Sequence, residues 1–237
     1  MEQDHIVSIL APLERKISIN NQLNDYLLKL GETIYLKLMA SESLTESTIK
    51  NISKSVVCGK TPSTKNKKNY GNEMLFITIP DMHNQIIATH SERMLSKVGA
   101  ESQKNKTLPE NSVLVSCIGT VGLVSLNAQE CQTNQQINSI IPLEGVSPYW
   151  VFFCVRNLAT TIERLGSSGS TICNLNKAQF EKIEIQIPSL QSIADFHKQV
   201  EPLFKLIQNN NRENANMRIL RDLLLPNLLS GNIQLTK

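Results

Sequence analysis

The two ends of the chain repeat each other, and this constrains the possible folds more than any other feature. Repeated segments usually form equivalent pieces of structure. A shift of 190 positions superposes residues of the same character: Pro12 on Pro202, Ile17 on Ile207, Asn20 on Asn210, Asn24 on Asn214, Leu30 on Leu220 and Ile34 on Leu224. The sequence therefore predicts two equivalent elements that bracket the rest of the molecule.

Both ends carry apolar residues at intervals of three and four, which is typical of one face of an α-helix. The pattern covers residues 6–39 and 191–229. A helix of about 30 residues is roughly 45 Å long and cannot cover such a stripe alone. We therefore predict an antiparallel, coiled-coil-like stalk, with Pro12 and Pro202 kinking its helices or delaying their start. The predicted stalk contacts are Ile17, Leu30, Ile34, Ile207, Leu220 and Leu224.

An ordinary helical hairpin packed on a domain is the alternative to a stalk, and composition alone favours it. The repeated asparagines weaken this alternative. An asparagine in a helix seam lowers stability but fixes register and partner, which suits a spacer of defined length.

The middle of the chain has a different pattern, with short β-rich runs at residues 74–79, 112–118 and 183–187. Turn sequences rich in Gly, Pro, Asn and Ser separate these runs. Residues 149–165 are predicted to form a mostly buried helix. We predict an α+β fold in which a mixed domain, closed by a strand ending at Pro188, lies between the two long helices.

Several classes of function are disfavoured by the sequence. Residues 1–5 are polar and acidic and resemble no secretory signal, so we expect a cytoplasmic protein. The five cysteines and four histidines are scattered without metal-ligand spacing. Gly59-Lys60-Thr61 is no phosphate-binding loop, because residue 54 is lysine where that motif requires glycine. We expect no catalytic residues, no metal, no cofactor and no membrane association.

Positive charge is concentrated in one part of the chain. The net charge is only +3, but residues 50–106 hold ten basic and four acidic residues. Within this window, residues 60–70 contain four lysines, several hydroxyls and amides, and no acid. Such side chains suit phosphates and base edges, although a solvated surface loop is the more ordinary interpretation. The predicted DNA contacts here are Lys60, Ser63, Thr64, Lys65, Lys67 and Lys68.

The middle domain resembles the target-recognition domain of the specificity subunits of type I restriction-modification systems. Any one of its motifs is weak, but six in order are strong. They are 59–63 (GKTPS), 75–82 (LFITIPDM), 108–116 (LPENSVLVS), 119–122 (GTVG), 133–136 (TNQQ) and 169–175 (GSTICNL). The flanking segments also resemble the conserved helices of that family, so the resemblance covers nearly the whole chain.

The resemblance implies three parts: an N-terminal stalk helix at residues 1–40, a target-recognition domain at 41–188, and a C-terminal stalk helix at 189–237. It also implies a non-catalytic subunit that binds double-stranded DNA and directs adenine methylation and restriction by partner modification and restriction (translocase) subunits. Polar groups in the turns can offer paired donors and acceptors to base edges. These further predicted contacts are Thr120, Asn134, Gln135, Ser168 and Ser170.

The chain departs from the family pattern in having one recognition domain where two are usual. We therefore expect a half-length subunit that forms a homodimer or pairs with another half-subunit. One alternative is a detached recognition module of a single-chain restriction-methylation enzyme, which neighbouring methylase and nuclease genes would argue against. Another is a structural helical adaptor, whose binding to DNA would stay nonspecific at every salt concentration.

Overall fold

The computed structural model describes residues 2–166 and 174–230. The helices are α1 (Glu2–Ser41), α2 (Ile79–Met82), α3 (Lys97–Glu101), α4 (Pro148–Asn157), α5 (Ala159–Gly166), α6 (Lys177–Glu181) and α7 (Leu190–Leu229). The strands are β1 (Thr45–Thr48), β2 (Ser53–Cys58), β3 (Tyr70–Ile77), β4 (Ile87–Ala88), β5 (Arg93–Leu95), β6 (Val113–Ser116), β7 (Val124–Asn127), β8 (Cys131–Thr133), β9 (Ile137–Pro142) and β10 (Glu184–Ile187).

Two long helices flank the sheets, which confirms the predicted α+β class. Each contains 40 residues, about 60 Å at 1.5 Å per residue, and is therefore longer than expected. Pro12 and Pro202 lie inside these helices rather than at their starts. The chain forms two compact units. A helix-pair unit contains residues Met1–Gly31 and Pro202–Lys237, and a central unit contains Glu32–Glu201.

In the helix-pair unit, asparagines that are buried or half-buried join α1 to α7. Asn20 donates from Nδ2 to Oδ1 of Asn214 at 2.9 Å, and Asn210 donates from Nδ2 to Oδ1 of Asn24 at 2.8 Å. The residue number of the bonded asparagine rises along α1 as that of its partner falls along α7, so the two helices run antiparallel. The shift of 190 positions that relates Asn20 to Asn210 also relates Asn24 to Asn214. Each of these contacts is therefore the counterpart of the other, and the two helices are equivalent in structure as well as in sequence.

The predicted stalk contacts fall into two groups. Ile17 and Ile207 are buried, at 6% and 0% exposure, whereas Leu30 and Leu220 are 48% and 46% exposed. The last two positions are a correction to the predicted seam, because about half of each side chain remains exposed. At about 100° per residue, Leu30 lies roughly 80° around the helix from Asn20, which occupies the seam. Leu224 is half-buried, and Ile34, also half-buried, belongs to the central unit.

The central unit is built from small sheets. β1 pairs with β10, five strands follow the order β2-β9-β6-β7-β4, and three follow the order β5-β3-β8. The β3–β8 and β4–β7 pairs are parallel, and the other pairs are antiparallel. The predicted strands at residues 74–79, 112–118 and 183–187 correspond to β3, β6 and β10. Residues 149–165, predicted as one mostly buried helix, form two helices, α4 and α5, of which only α4 is mostly buried.

Aromatic side chains form the core beside α4. The ring of Tyr35 stacks on that of Phe153, with centroids 5.9 Å apart, and Phe196 meets both rings edge-on at 6.3 Å. Trp150 and Phe153 have no exposed surface. Large buried rings contribute much of the apolar area removed from water, so this cluster stabilises the unit that carries the candidate site.

Candidate nucleic-acid interface

A basic segment, residues 60–69, leaves strand β2 and is held to the domain at its first residues. We call it the lysine strap. Gly59 N–H donates to Ile137 O at 3.1 Å, and Lys60 N–H donates to Thr133 O at 2.9 Å. A Cβ at Gly59 would lie 2.2 Å from the Asn134 carbonyl oxygen. Only glycine allows this close approach of the two backbones.

Two buried amide side chains hold the start of the strap through the carbonyl oxygen of Lys60. Gln103 donates from Nε2 to Lys60 O and to Gln132 Oε1, both at 2.8 Å. Gln132 in turn donates from Nε2 to Ala100 O and to Thr107 Oγ1, both at 2.9 Å. The strap is thus tied to the region around α3. The two glutamines were missing from the sequence predictions because their role depends on burial, which no local motif encodes.

The far end of the strap is also anchored. Asn69 donates from Nδ2 to Ser63 O at 3.0 Å, and the Tyr70 hydroxyl donates to Pro62 O at 2.9 Å. The Ser96 hydroxyl donates to Lys68 O at 2.5 Å. These bonds use backbone carbonyls and leave the intervening side chains in solvent. The exposed predicted contacts are Lys60, Ser63, Thr64, Lys65, Lys67 and Lys68.

The exposed lysines keep their charge available. Within residues 2–166 and 174–230, no carboxylate lies at ion-pair distance from a strap lysine. The strap can therefore offer several cationic groups to an anionic partner. Exposed lysines on an anchored backbone suit contact with nucleic-acid phosphates.

A tight turn at residues 134–137, the amide turn, lies beside the strap. Ile137 N–H donates to Asn134 O at 3.3 Å, and Gln136 N–H donates to Asn134 Oδ1 at 3.1 Å. Asn134 also donates from Nδ2 to Gln136 Oε1 at 2.9 Å and is only 8% exposed. This corrects the prediction for Asn134: both ends of its amide are used to hold the turn. Gln135, at the apex, is exposed.

Side chains connect the amide turn to its neighbours. The Thr61 hydroxyl donates to Gln135 Oε1 at 2.7 Å and thus joins the strap to the turn. Gln136 donates from Nε2 to Ile118 O at 3.5 Å, on the other side. Thr61 belongs to the GKTPS motif but was not among the predicted contacts. The bond that it makes joins residues 74 positions apart and has no local signal.

A third segment, residues 117–123, completes the site; we call it the glycine loop. Gly119 and Gly122 have φ angles of +80° and +87°, a left-handed backbone that favours glycine. Gly122 N–H donates to Ser116 O at 3.0 Å and closes the loop, which leaves Thr120 exposed. The strap, the amide turn and the glycine loop therefore lie side by side, although they are distant in sequence.

Residues 174 and 175, which follow positions 167–173, also reach the glycine loop. Asn174 N–H donates to Gly166 O at 3.0 Å, and Leu175 N–H donates to Cys117 O at 2.9 Å. Ile118 and Asn174 form an isolated β-bridge. The predicted contacts Ser168 and Ser170 lie outside the described residues.

Two buried cysteines of the described residues have altered thiol chemistry. Burial raises the pKa of the Cys131 and Cys154 thiols to about 12, so both remain protonated at neutral pH and are poor nucleophiles. In the parts of the chain that the structure describes, His, Cys, Asp and Glu side chains form no group suited to hold a metal ion. The same parts contain no helix that is both long and apolar enough to cross a membrane.

Comparison with known proteins gives the family. The family model for the type I restriction modification DNA specificity domain matches residues 42–216. The chain belongs to this family. It is 46% identical over 180 residues to the type I restriction enzyme HindI specificity subunit of Haemophilus influenzae. The aligned segment covers 75% of this chain and 39% of that protein. It is 28% identical over 163 residues to the MjaIX specificity subunit of Methanocaldococcus jannaschii, with 67% and 38% covered.

Solved structures of specificity subunits share the fold. The S subunit from M. genitalium aligns with a TM-score of 0.65 at 16% identity, over 96% of this chain and 60% of that one. The HsdS subunit from Thermoanaerobacter tengcongensis aligns with a TM-score of 0.52 at 13% identity, over 98% and 59%. This chain therefore spans about two fifths of the length of the curated relatives and three fifths of the length of these solved chains.

Proposed function

We propose that this chain is a sequence-specific DNA-recognition subunit of a type I restriction-modification system. It would direct adenine methylation by modification subunits and cleavage by a restriction (translocase) subunit, in the cytoplasm, without catalysing either reaction. The observation that carries the proposal is the convergence of the lysine strap, the amide turn and the glycine loop in a specificity-family chain. Together they combine cationic groups for phosphates with exposed amide and hydroxyl groups for base edges.

Each segment of the chain would have the role that the sequence predicts for it. Residues 41–188 would form the target-recognition domain, and residues 1–40 and 189–237 the two stalk helices. Its base-reading groups would be Thr120, Gln135, Ser168 and Ser170, and its phosphate-binding groups those of the strap. Asn134 would support Gln135 from inside the turn.

Methylome sequencing of cells with and without the chain tests this function. We expect a two-part adenine-methylated motif to disappear when the chain is deleted and to return when it is supplied again. Unchanged methylation at every adenine motif would reject the proposal. A chain with Lys65, Lys67 and Lys68 replaced by Ala tests the part played by the strap, because it should fold normally and restore methylation poorly.

We also propose that the chain acts as half of a symmetric platform, either as a homodimer or with another half-subunit. Its two long helices are equivalent, and a twofold assembly brings identical surfaces together. Because the asparagine seam is already filled within one chain, the second copy would contact exposed apolar residues of the helix-pair unit. These include Ile19, Leu23, Tyr26, Leu30, Leu220 and Leu223.

Sedimentation at micromolar concentration, alone and with modification subunits, tests the pairing. A dimer, or a complex with two copies of this chain, is expected. Leu30→Asp combined with Leu220→Asp should convert it to a monomer with unchanged helicity. A monomer that binds only one modification subunit would refute the twofold arrangement.

A further inference from the structure

Gln135 is held at the apex of a rigid turn. The turn is closed by the Asn134 amide and is tied to the strap by the Lys60 N–H bond to Thr133 O. The backbone of Gln135 is therefore fixed on both sides, while its side chain is exposed. A long polar side chain on a fixed backbone loses little further entropy when only its terminal torsions must be ordered.

The amide of Gln135 is also oriented. The Thr61 hydroxyl donates to its Oε1 atom at 2.7 Å. Thr61 is itself constrained, because its β-branched side chain has few rotamers and the following Pro62 restricts its backbone. The bond leaves one lone pair on Oε1 and both N–H groups of Nε2 available. Gln135 can thus present an acceptor and a donor side by side.

This pair matches one base edge. In the major groove, adenine offers the N7 acceptor and the N6 donor, whereas guanine offers two acceptors, N7 and O6. Building on the proposed function, we propose that Gln135 reads an adenine through its Oε1 and Nε2 atoms, and that Thr61 is a positioning residue that orients the Gln135 amide. A guanine at that position would set its O6 against Oε1.

Selection from a randomised DNA duplex library with the full chain tests the pair. The wild-type chain should enrich one motif. Gln135→Ala should lose the preference for adenine at one position in each part of the motif that this chain reads, by about 5- to 150-fold in relative affinity. Thr61→Val, which removes the hydroxyl but keeps the shape, should weaken the same position, and Thr61→Ser should restore it. Thr45→Val makes the same change at an exposed site in β1 and should leave every position unchanged.

The outcomes separate this inference from the function on which it rests. If the wild-type chain enriches no motif, the proposed recognition function fails, and the inference fails with it. If the wild-type chain enriches a motif that Gln135→Ala leaves intact, only the adenine assignment is overturned. If Gln135→Ala changes the motif but Thr61→Val does not, the positioning role of Thr61 is wrong. Equal loss of affinity for all duplexes by both variants would make the pair a structural element of the strap.

Discussion

The two units of this chain are held together by different chemistry. The central unit buries aromatic and aliphatic side chains, among them Trp150 and Phe153, and its described residues form three small sheets. The helix-pair unit buries few large apolar residues and places Asn20, Asn24 and Asn214 in its seam. Apolar burial contributes most to stability, whereas buried amides contribute mainly to register. We therefore expect core truncation to be most costly in the central unit, and the amides to set the alignment of the helix pair.

Truncation in the aromatic core should give the largest effect. Phe153→Ala removes ring contacts with Tyr35 and Phe196 and should lower the free energy of unfolding by about 3–5 kcal/mol. Urea unfolding followed by fluorescence is a suitable measurement, because Trp150 is the single tryptophan and lies in this core. Leu143→Ala, at a residue that is 45% exposed, is the control and should cost little. Equal losses in both variants would contradict the assignment of the core.

One leucine and the isoleucine that follows it in α7 test the helix-pair seam. Ile207 is fully buried, and Leu206 is 48% exposed. Ile207→Ala should cost about 2–5 kcal/mol, and Leu206→Ala about 0.5 kcal/mol or less. Hydrogen exchange of amides in residues 7–31 and 202–230 would report the difference. The seam is misplaced if the Leu206 variant accelerates exchange as much as the Ile207 variant.

Removing one asparagine should be worse than removing two. Asn20→Leu leaves the buried Oδ1 atom of Asn214 without its donor, while Nδ2 of Asn214 keeps its bond to Asn21 Oδ1. The loss should cost about 1–3 kcal/mol, because an unsatisfied buried acceptor is not compensated. The double variant Asn20→Leu, Asn214→Leu should regain most of that loss, while its helix register becomes less defined. Thermal unfolding by circular dichroism supplies the double-mutant cycle. Additive losses would show that the two amides act independently.

The strap lysines should affect binding without affecting stability. Single replacement of Lys65, Lys67 or Lys68 by Ala should change the free energy of unfolding by about 0.5 kcal/mol or less. Each replacement should also lower the slope of log affinity against log salt by about one. Fluorescence titration of a labelled duplex at several salt concentrations measures the slope. An unchanged slope in all three variants would mean that the strap faces solvent in the complex.

Acid should weaken the helix pair slightly. The Asn20 amide, and then Lys16, hold the pKa of Glu213 below its ordinary value near 4.5. A carboxyl whose pKa is lower in the folded state stabilises the fold above its unfolded pKa, and that contribution is lost as pH falls through the folded value. At pH values below about 4.5 the melting temperature should therefore decrease. The decrease should be smaller in the Glu213→Gln variant. Asp25→Asn, at an exposed position of α1, is the matched control. Identical acid profiles for wild type and Glu213→Gln would contradict this contribution.

Local patterns predicted the long helices and three of the strands, but only part of the site. Helical spacing predicted the long helices, and β-rich runs predicted β3, β6 and β10, because these periodicities reflect which face of an element is buried. The turn that carries Asn134 and Gln135 was also predicted to be a site. Both amides were predicted to contact DNA, but only the Gln135 side chain points into solvent, whereas the Asn134 side chain is buried. The sequence does not show in which direction each of two adjacent side chains in a turn points. Leu30 and Leu220 fitted the apolar stripe but lie outside the asparagine seam.

By itself, the sequence determined the α+β class, the equivalence of the two end helices, the concentration of basic residues and the family. Each of these depends on residues that are near one another in the chain or on an ordered set of motifs. Only the tertiary structure decided that Asn134 turns inward while Gln135 faces solvent, and that Thr61, Gln103 and Gln132 support the strap and the amide turn. The physical reason is that a hydrogen bond and the burial of an amide depend on partners far away in sequence. Those partners are brought together only when the whole domain packs.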